Sequence, residues 1–167
     1  MRIAMVSEHA SPLAVAGGVD SGGQNVHVAA LSAALARQGH DVRVFTRADG
    51  PDLPVRVRTA AGYEVEHVFA GPPRSIPKDD LVTYMPAFCQ VLIDRLATEP
   101  ADVLHAHFWM SGSAATIAGQ QLDIPVAQTF HALGVVKKRH QGLQDTSPEQ
   151  RIGTEAALCQ GVDRVIA

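Results

Sequence analysis

Residues 16–31 read AGGVDSGGQNVHVAAL, setting the pairs Gly17-Gly18 and Gly22-Gly23, with Asp20, Gln24 and Asn25, ahead of an apolar periodic run. Glycines in that position let backbone N–H groups at a helix N-terminus approach an anion, while the nearby carboxylate and amides can bond hydroxyls. A dinucleotide fingerprint needs G-x-G-x-x-G joined tightly to its strand, and here paired glycines follow a long connection. A Walker loop counted from Gly17 reaches Gly22 but continues with Gly23 and Gln24, so no lysine meets the phosphates. What remains is an anion-tolerant helix start with hydroxyl-bonding neighbours. Read alone, it is also compatible with a plain linker and cap.

Two further clusters carry chemistry. HAHFWMSG, residues 105–112, crowds His105, His107 and the sole tryptophan, Trp109, at one place. In an extended segment His105 and His107 share a face. An H-x-H pair offers two metal ligands, but no neighbouring cysteine or acidic pair completes the set, so no metal is expected. The imidazoles then serve as hydrogen-bonding walls, with His105 the expected core member, bonded to backbone. TFHALGVVKKRHQG, residues 129–142, ends an apolar run at His131 and continues into Lys137, Lys138 and Arg139. Lys138 and Arg139 read as a solvated loop face.

These residues need a frame, and the pattern supplies one. RIAMVS is a short apolar run of the kind buried in parallel sheets. Val28, Leu31 and Leu35 recur at helical spacing, with Gly39 as the stop. DVRVFTR predicts a second strand and YEVEHVFA a third, more exposed one. KDDLVTYMPAFCQVLIDRLATEP predicts a long helix, bent at Pro86 unless it starts later. ADVLHAH and IPVAQTFH predict buried strands around the helix SGSAATIAGQQL. SPEQRIGTEAALCQG predicts a helix with Ser147 as N-cap, Pro148 first and Gln150 closing a capping box. DRVIA opens a sixth strand. Strand and helix alternate without repeats, so the fold class is α/β, a Rossmann-like doubly wound parallel sheet. In such a sheet ligands gather at the carboxyl ends of strands where the order reverses. With the usual order the first strand lies beside the fourth, and the glycine loop, His107 and His131 line a single crevice.

The chain has 167 residues, 46% of them hydrophobic, enough for one domain. With 14 basic and 17 acidic residues it has no broad basic face for nucleic acid or anionic lipid. No segment approaches membrane-spanning length. Cys89 and Cys159 lack a ligand spacing and read as reduced core residues, so a cytoplasmic location is expected.

The three quoted motifs together resemble the N-terminal half of family-4 retaining glycosyltransferases with the GT-B fold. That group includes sucrose-phosphate synthases and the inositol-phosphate N-acetylglucosaminyltransferase of mycothiol biosynthesis. The resemblance covers nearly the whole chain and implies an acceptor-binding domain over residues 1–167, one half of a GT-B fold, with a C-terminal donor domain supplied in cis or by a partner chain. It implies a nucleotide-sugar co-substrate, a sugar, polyol or sugar-phosphate acceptor, no metal cofactor, and little activity for this half alone. By position, Gly22 and Gly23 resemble the loop nearest the donor diphosphate, Asn25 an acceptor-hydroxyl contact, and Asp20 a residue of the same loop. His131 resembles the histidine beside the reacting sugar. Lys78, Lys137, Arg151 and Glu155 match residues of the inositol-phosphate enzymes, whose lysine and arginine help bind the acceptor phosphate. Those enzymes carry tyrosine in place of Phe108 and threonine in place of Ala132, so two hydroxyls toward a phosphate are missing here. A non-catalytic binding module, or half of a split enzyme, is the alternative. An oxidoreductase is disfavoured by the glycine spacing.

Overall fold

The computed structural model describes residues 1–14 and 22–166. Gly17, Gly18 and Asp20 lie outside the described residues. Among the described residues the sheet comprises β1 (Arg2–Val6), β2 (Asp41–Arg47), β3 (Arg56–Arg58), β4 (Glu64–Val68), β5 (Val103–His107), β6 (Val126–Thr129) and β7 (Arg164–Val165). The helices are α1 (Gly23–Arg37), α2 (Met85–Thr98), α3 (Trp109–Leu122), α4 (Gly134–Gln141) and α5 (Arg151–Gly161).

The strand order is β3-β4-β2-β1-β5-β6-β7, and every neighbouring pair is parallel except β3 with β4. The chain winds outward from β1 through β2 and β4, then crosses back to β5 and winds the other way. The reversal therefore falls between β1 and β5, paired from Ile3 with Val103 to Val6 with Ala106. This is the doubly wound α/β arrangement expected from the alternating pattern. Val28 of α1 packs with Ile3, Met5, Val42, Val44 and Val65 on one side of the sheet. Leu92, Ile93 and Leu96 of α2 and Ala114, Ala115 and Ala118 of α3 join Val6, Phe45, Leu104 and Val126 in the larger core cluster.

Several elements differ from the sequence expectation. The strand at Glu64–Val68 is not an exposed one, because Val65, Glu66, His67 and Val68 are all buried. The short strand β3 covers its outer edge. The buried Glu66 carboxylate is accommodated by Arg56 Nε at 2.9 Å and Arg95 Nε at 2.8 Å. The long helix begins later: residues Lys78–Tyr84 form a 3-10 turn and α2 starts at Met85, placing Pro86 in the first turn where no N–H is needed. Ser147 is not an N-cap, since α5 starts at Arg151 and the Ser147 hydroxyl instead accepts from Lys137 Nζ and Arg151 Nη1. Lys138 and Arg139 sit on α4 rather than on a loop. Cys89 is buried as expected, but Cys159 is exposed on α5.

The last turns of α3 pack closely on the start of β6. A Cβ built at Gly119 meets the Ile124 carbonyl and Val126 Cγ2 at 2.6 Å each. A backbone oxygen gives way poorly. Gly119→Ala is therefore expected to destabilise the fold by about 1–3 kcal/mol, the usual range for overpacking, read by chemical denaturation. An unchanged midpoint would show that the α3–β6 contact is not the tight one described.

Candidate functional site

A cleft of about 560 Å³ opens at the carboxyl ends of the central strands. One wall is the start of α1. Gly22 caps it in extended conformation, and its N–H donates to Asn25 Oδ1 at 3.0 Å. Asn25 Nδ2 donates in turn to the Ser11 carbonyl at 3.0 Å, so this buried amide clamps the loop after β1 onto the helix. Gln24 Nε2 reaches Ser7 Oγ at 3.1 Å and the His107 carbonyl at 3.3 Å, tying α1 to the ends of β1 and β5. Among the described residues a Cβ at Gly22 or Gly23 would meet nothing within 4 Å, and neither residue has a left-handed φ. Packing and backbone geometry therefore do not require glycine there. The open space lies at the positive end of a 15-residue helix, a favourable place for an anion.

The opposite wall is built from two strained turns. Phe108, which follows β5, has φ 77° and ψ 161°, a combination otherwise left to glycine. His131, after β6, has φ 61°. Phe108 is held by its N–H to the Thr129 carbonyl at 2.8 Å and by Gln128 Nε2, which donates to the Phe108 carbonyl at 3.1 Å. His131 is held by its ring, whose Nε2 faces His107 Nδ1 at 2.9 Å, one imidazole donating its N–H to the other. His131, Phe108, Gly22, Gly23 and Asn25 all line the cleft, and His107 lies fully buried behind His131.

The floor and rim supply charge. Lys78 lines the cleft with its ammonium 5.1 Å from the centre of the Phe108 ring, and no carboxylate lies within 4.0 Å of it among the described residues. Desolvation first, then Arg151 and Lys137, pull its pKa below the usual lysine value against the attraction of Asp79. Arg151 sits 4.9 Å from the same ring, but it is buried and committed: Nε to Glu155 at 2.8 Å and Nη2 to the Ala132 carbonyl at 2.9 Å. Lys137 is not among the lining residues; it pairs with Asp145 Oδ1 at 3.1 Å and Asp79 Oδ2 at 3.6 Å and donates to Ser147 Oγ at 3.0 Å. The fold brings Gly22, Gly23, Asn25, Lys78 and His131 to one cleft, with His107 and Arg151 directly behind it and Lys137 apart.

Sequence reasoning passed over several residues of this site. Glu8, just past β1, is buried with its carboxylate accepting from the Ser111 hydroxyl and facing His9 Nδ1 at 2.6 Å. Its signal was a charged pair directly behind an apolar strand, at the same end as the other motifs. Arg47, the last residue of β2, donates to the Pro72 carbonyl at 2.9 Å and the Arg74 carbonyl at 2.6 Å, fixing the segment that delivers Lys78. His105 is a core histidine as expected, but its partner is the Thr129 hydroxyl at 2.9 Å rather than backbone.

The sequence pattern of Glycosyltransferase Family 4 matches residues 21–167. The chain belongs to Glycosyltransferase Family 4. It is 40% identical over 169 residues to a D-inositol 3-phosphate glycosyltransferase of Acidothermus cellulolyticus, covering 99% of this chain and 38% of that protein. The corresponding protein of Mycolicibacterium gilvum is 39% identical over 170 residues, with 99% and 38% covered. Among solved structures, sucrose-phosphate synthase from Thermosynechococcus elongatus superposes with a TM-score of 0.93 at 32% identity, over 99% of this chain and 42% of that one. The chain thus spans about two fifths of the length of these relatives and corresponds to their N-terminal half. The seven-stranded sheet is the Rossmann-like half of a GT-B architecture. No helix among the described residues is long and apolar enough to cross a membrane.

The imidazoles make the fold sensitive to acid. Burial, and then the other histidines, lower His107 to about 2 and both His105 and His131 to about 4. Their folded-state pKa values lie below the ordinary value near 6.5, so the unfolded chain takes up protons that the fold refuses. Stability is complete above that value and is lost as pH falls from about 6.5 through about 4 for His105 and His131 and toward about 2 for His107. Thermal unfolding is expected to show Tm dropping already between about pH 6.5 and 5, above the range where carboxylates protonate, and His105→Gln is expected to flatten part of that slope. A Tm constant over that interval would show that these rings are not held neutral.

Proposed function

We propose that this chain forms the acceptor-side lobe of a retaining glycosyltransferase, which moves a sugar from a nucleotide-sugar donor to a hydroxyl of a second substrate. The second lobe, in the same polypeptide or on a partner chain, holds most of the donor nucleotide. One observation carries the reading: the helix N-terminus at Gly22 and Gly23, unobstructed among the described residues, faces His131 across one cleft. That arrangement lets a diphosphate and the sugar it carries lie between a positive helix end and a fixed hydrogen-bonding ring.

In this account the protein's work is orientation and charge stabilisation. The α1 N-terminus favours the negative charge that grows on the leaving diphosphate. His131, locked in place through His107, hydrogen-bonds the sugar near the reacting carbon. The acceptor hydroxyl attacks on the face from which the diphosphate departs, and the departing phosphate oxygen takes its proton, so the anomeric configuration is kept. Transfer on this scheme uses no metal and no dedicated protein base.

The acceptor is a sugar, a polyol or one of their phosphates. Among the described residues Lys78 and Arg47 both line the cleft without a carboxylate in ion-pair reach, but the Arg47 guanidinium is committed to the Ala48, Pro72 and Arg74 carbonyls, while Arg151 is paired with Glu155 and Lys137 with Asp145. Phe108 and Ala132 line the cleft without hydroxyls. A phosphate on the acceptor is accordingly read by Lys78 more than by any other side chain.

The test is turnover of nucleotide sugars against neutral and phosphorylated acceptors, measured with the donor lobe present. Gly23→Val fills the space at the diphosphate and is expected to cut kcat by at least about 10-fold while Tm stays unchanged. His131→Ala is expected to lower the rate far more than it lowers stability. Lys78→Met is expected to reduce kcat/KM selectively for phosphorylated acceptors. Acceptor binding without turnover of any donor would instead favour a non-catalytic module, and full activity in Gly23→Val would remove the loop from the site.

A further inference from the structure

Three imidazoles from three separate parts of the chain converge at the cleft wall. His27 lies one turn into α1, His107 ends β5 and His131 follows β6. Each offers one ring nitrogen, and these nitrogens all lie within 4.8 Å of one another. The His27 ring centre is 5.0 Å from that of His131 and 5.6 Å from that of His107. We propose that His27, His107 and His131 bind a divalent transition-metal ion of the zinc type, and that the bound ion withdraws His131 from the sugar.

The donor set selects the class of ion. Three imidazoles without a carboxylate suit Zn²⁺, Co²⁺, Ni²⁺ or Cu²⁺ and offer little to Mg²⁺ or Ca²⁺, which prefer oxygen. Tetrahedral zinc with Zn–N bonds near 2.0–2.1 Å places its ligand nitrogens roughly 3.3 Å apart. His107 Nδ1 and His131 Nε2, at 2.9 Å, need to open by only a few tenths of an ångström. His107 is fixed by burial in the sheet and His131 by its left-handed turn, so two ligands are preset. His27 is exposed on the helix surface and can swing inward by rotation of its side chain. With three protein ligands, a fourth position stays open for water, as in accessible zinc sites.

Proton accounting sets the strength. The two facing nitrogens of His107 and His131 share one proton, and coordination needs both lone pairs. That proton moves to the outer nitrogen of one ring; on His107 this is Nε2, which is buried without a partner among the described residues. No proton is released. A metal-bound histidine normally donates its other N–H to an acceptor, and lack of one costs about 10- to 100-fold in affinity. The site is thus suited to a reversible ion rather than a permanent one. Because His131 also lines the cleft, the ion and the donor sugar compete for the same ring. This consequence rests on the function proposed above, whereas the binding itself does not.

Titration of the metal-free chain with Co²⁺ as the spectroscopic probe tests the site. The expected result is the intense visible absorption of tetrahedral Co²⁺ at one equivalent, displaced by Zn²⁺ and unaffected by Mg²⁺. His27→Phe is expected to weaken binding by at least about 10-fold and abolish those bands, with Tm of the metal-free chain unchanged. His131→Asn, which tolerates the left-handed turn, is expected to do the same. Absence of the bands in the parent chain, or bands that persist in His27→Phe, would overturn the site. In the transfer assay, Zn²⁺ is expected to inhibit the parent enzyme and spare His27→Phe. Loss of the inhibition arm with the Co²⁺ result intact would refute only the competition, and absence of any transfer would count against the proposed function while the spectra still decide the site.

Discussion

The structure depends on the parallel pairing of β5 with β6 being carried one residue past its end. Beyond the paired residues His107 and Thr129, the Phe108 N–H still reaches the Thr129 carbonyl, and Gln128 bridges across to the Phe108 carbonyl. These bonds hold Phe108 in a backbone region that costs on the order of 1–3 kcal/mol for a residue with a side chain. The ring-to-ring bond from His107 to His131 fastens the second turn. Two unfavourable conformations on adjacent strands are thereby fixed side by side, and both face the cleft. Strain of this sort persists only where its surroundings over-determine it, and here buried amide, ring and backbone groups converge from both strands.

From that constraint the remaining site follows by packing. Gly112 admits Gln128 and Leu158 so closely that a Cβ there would meet Gln128 Oε1 at 2.2 Å, which locks α3 against β6 and α5. Gln24 draws α1 onto the same strand ends, and Arg47 draws in the segment leading to Lys78. Charges near the cleft are mostly compensated internally. Glu155 serves both Arg151 and the Gly134 N–H at the start of α4. The ion pairs and the carbonyl-bound Arg47 therefore shape the walls, while Lys78 and the α1 N-terminus face the cleft.

Much of this arrangement was legible in the sequence, because it rests on local pattern. Apolar runs marked the central strands, Gly39 marked the end of α1 through its φ of 86°, and the order of motifs placed Gly22 and Gly23 at the same strand ends as His107 and His131. What stayed hidden is tertiary. His27 sits among helix formers and shows no sign of facing two strand ends. Glu8 gains its interest from burial against Ser111, 103 residues away. The exposure expected of Glu64–Val68 came from its alternating charges, and it failed because Arg56 and Arg95 neutralise Glu66 from other elements. Lys137 matched by position, yet its side chain went to Asp145, a pairing that depends on how α4 meets the following turn.

The central claim is that the cleft between the α1 N-terminus and the two strained turns receives the hydroxyl-bearing substrate. The most direct measurement is an NMR titration of the isotope-labelled chain with sugar, polyol and sugar-phosphate ligands, following the backbone and imidazole signals. The account predicts that the signals that move cluster at Gly22 to Asn25, Lys78, Phe108 and His131. Shifts confined to the opposite, amino-terminal edge of the sheet, around Arg43, Arg56 and Glu99, would contradict it.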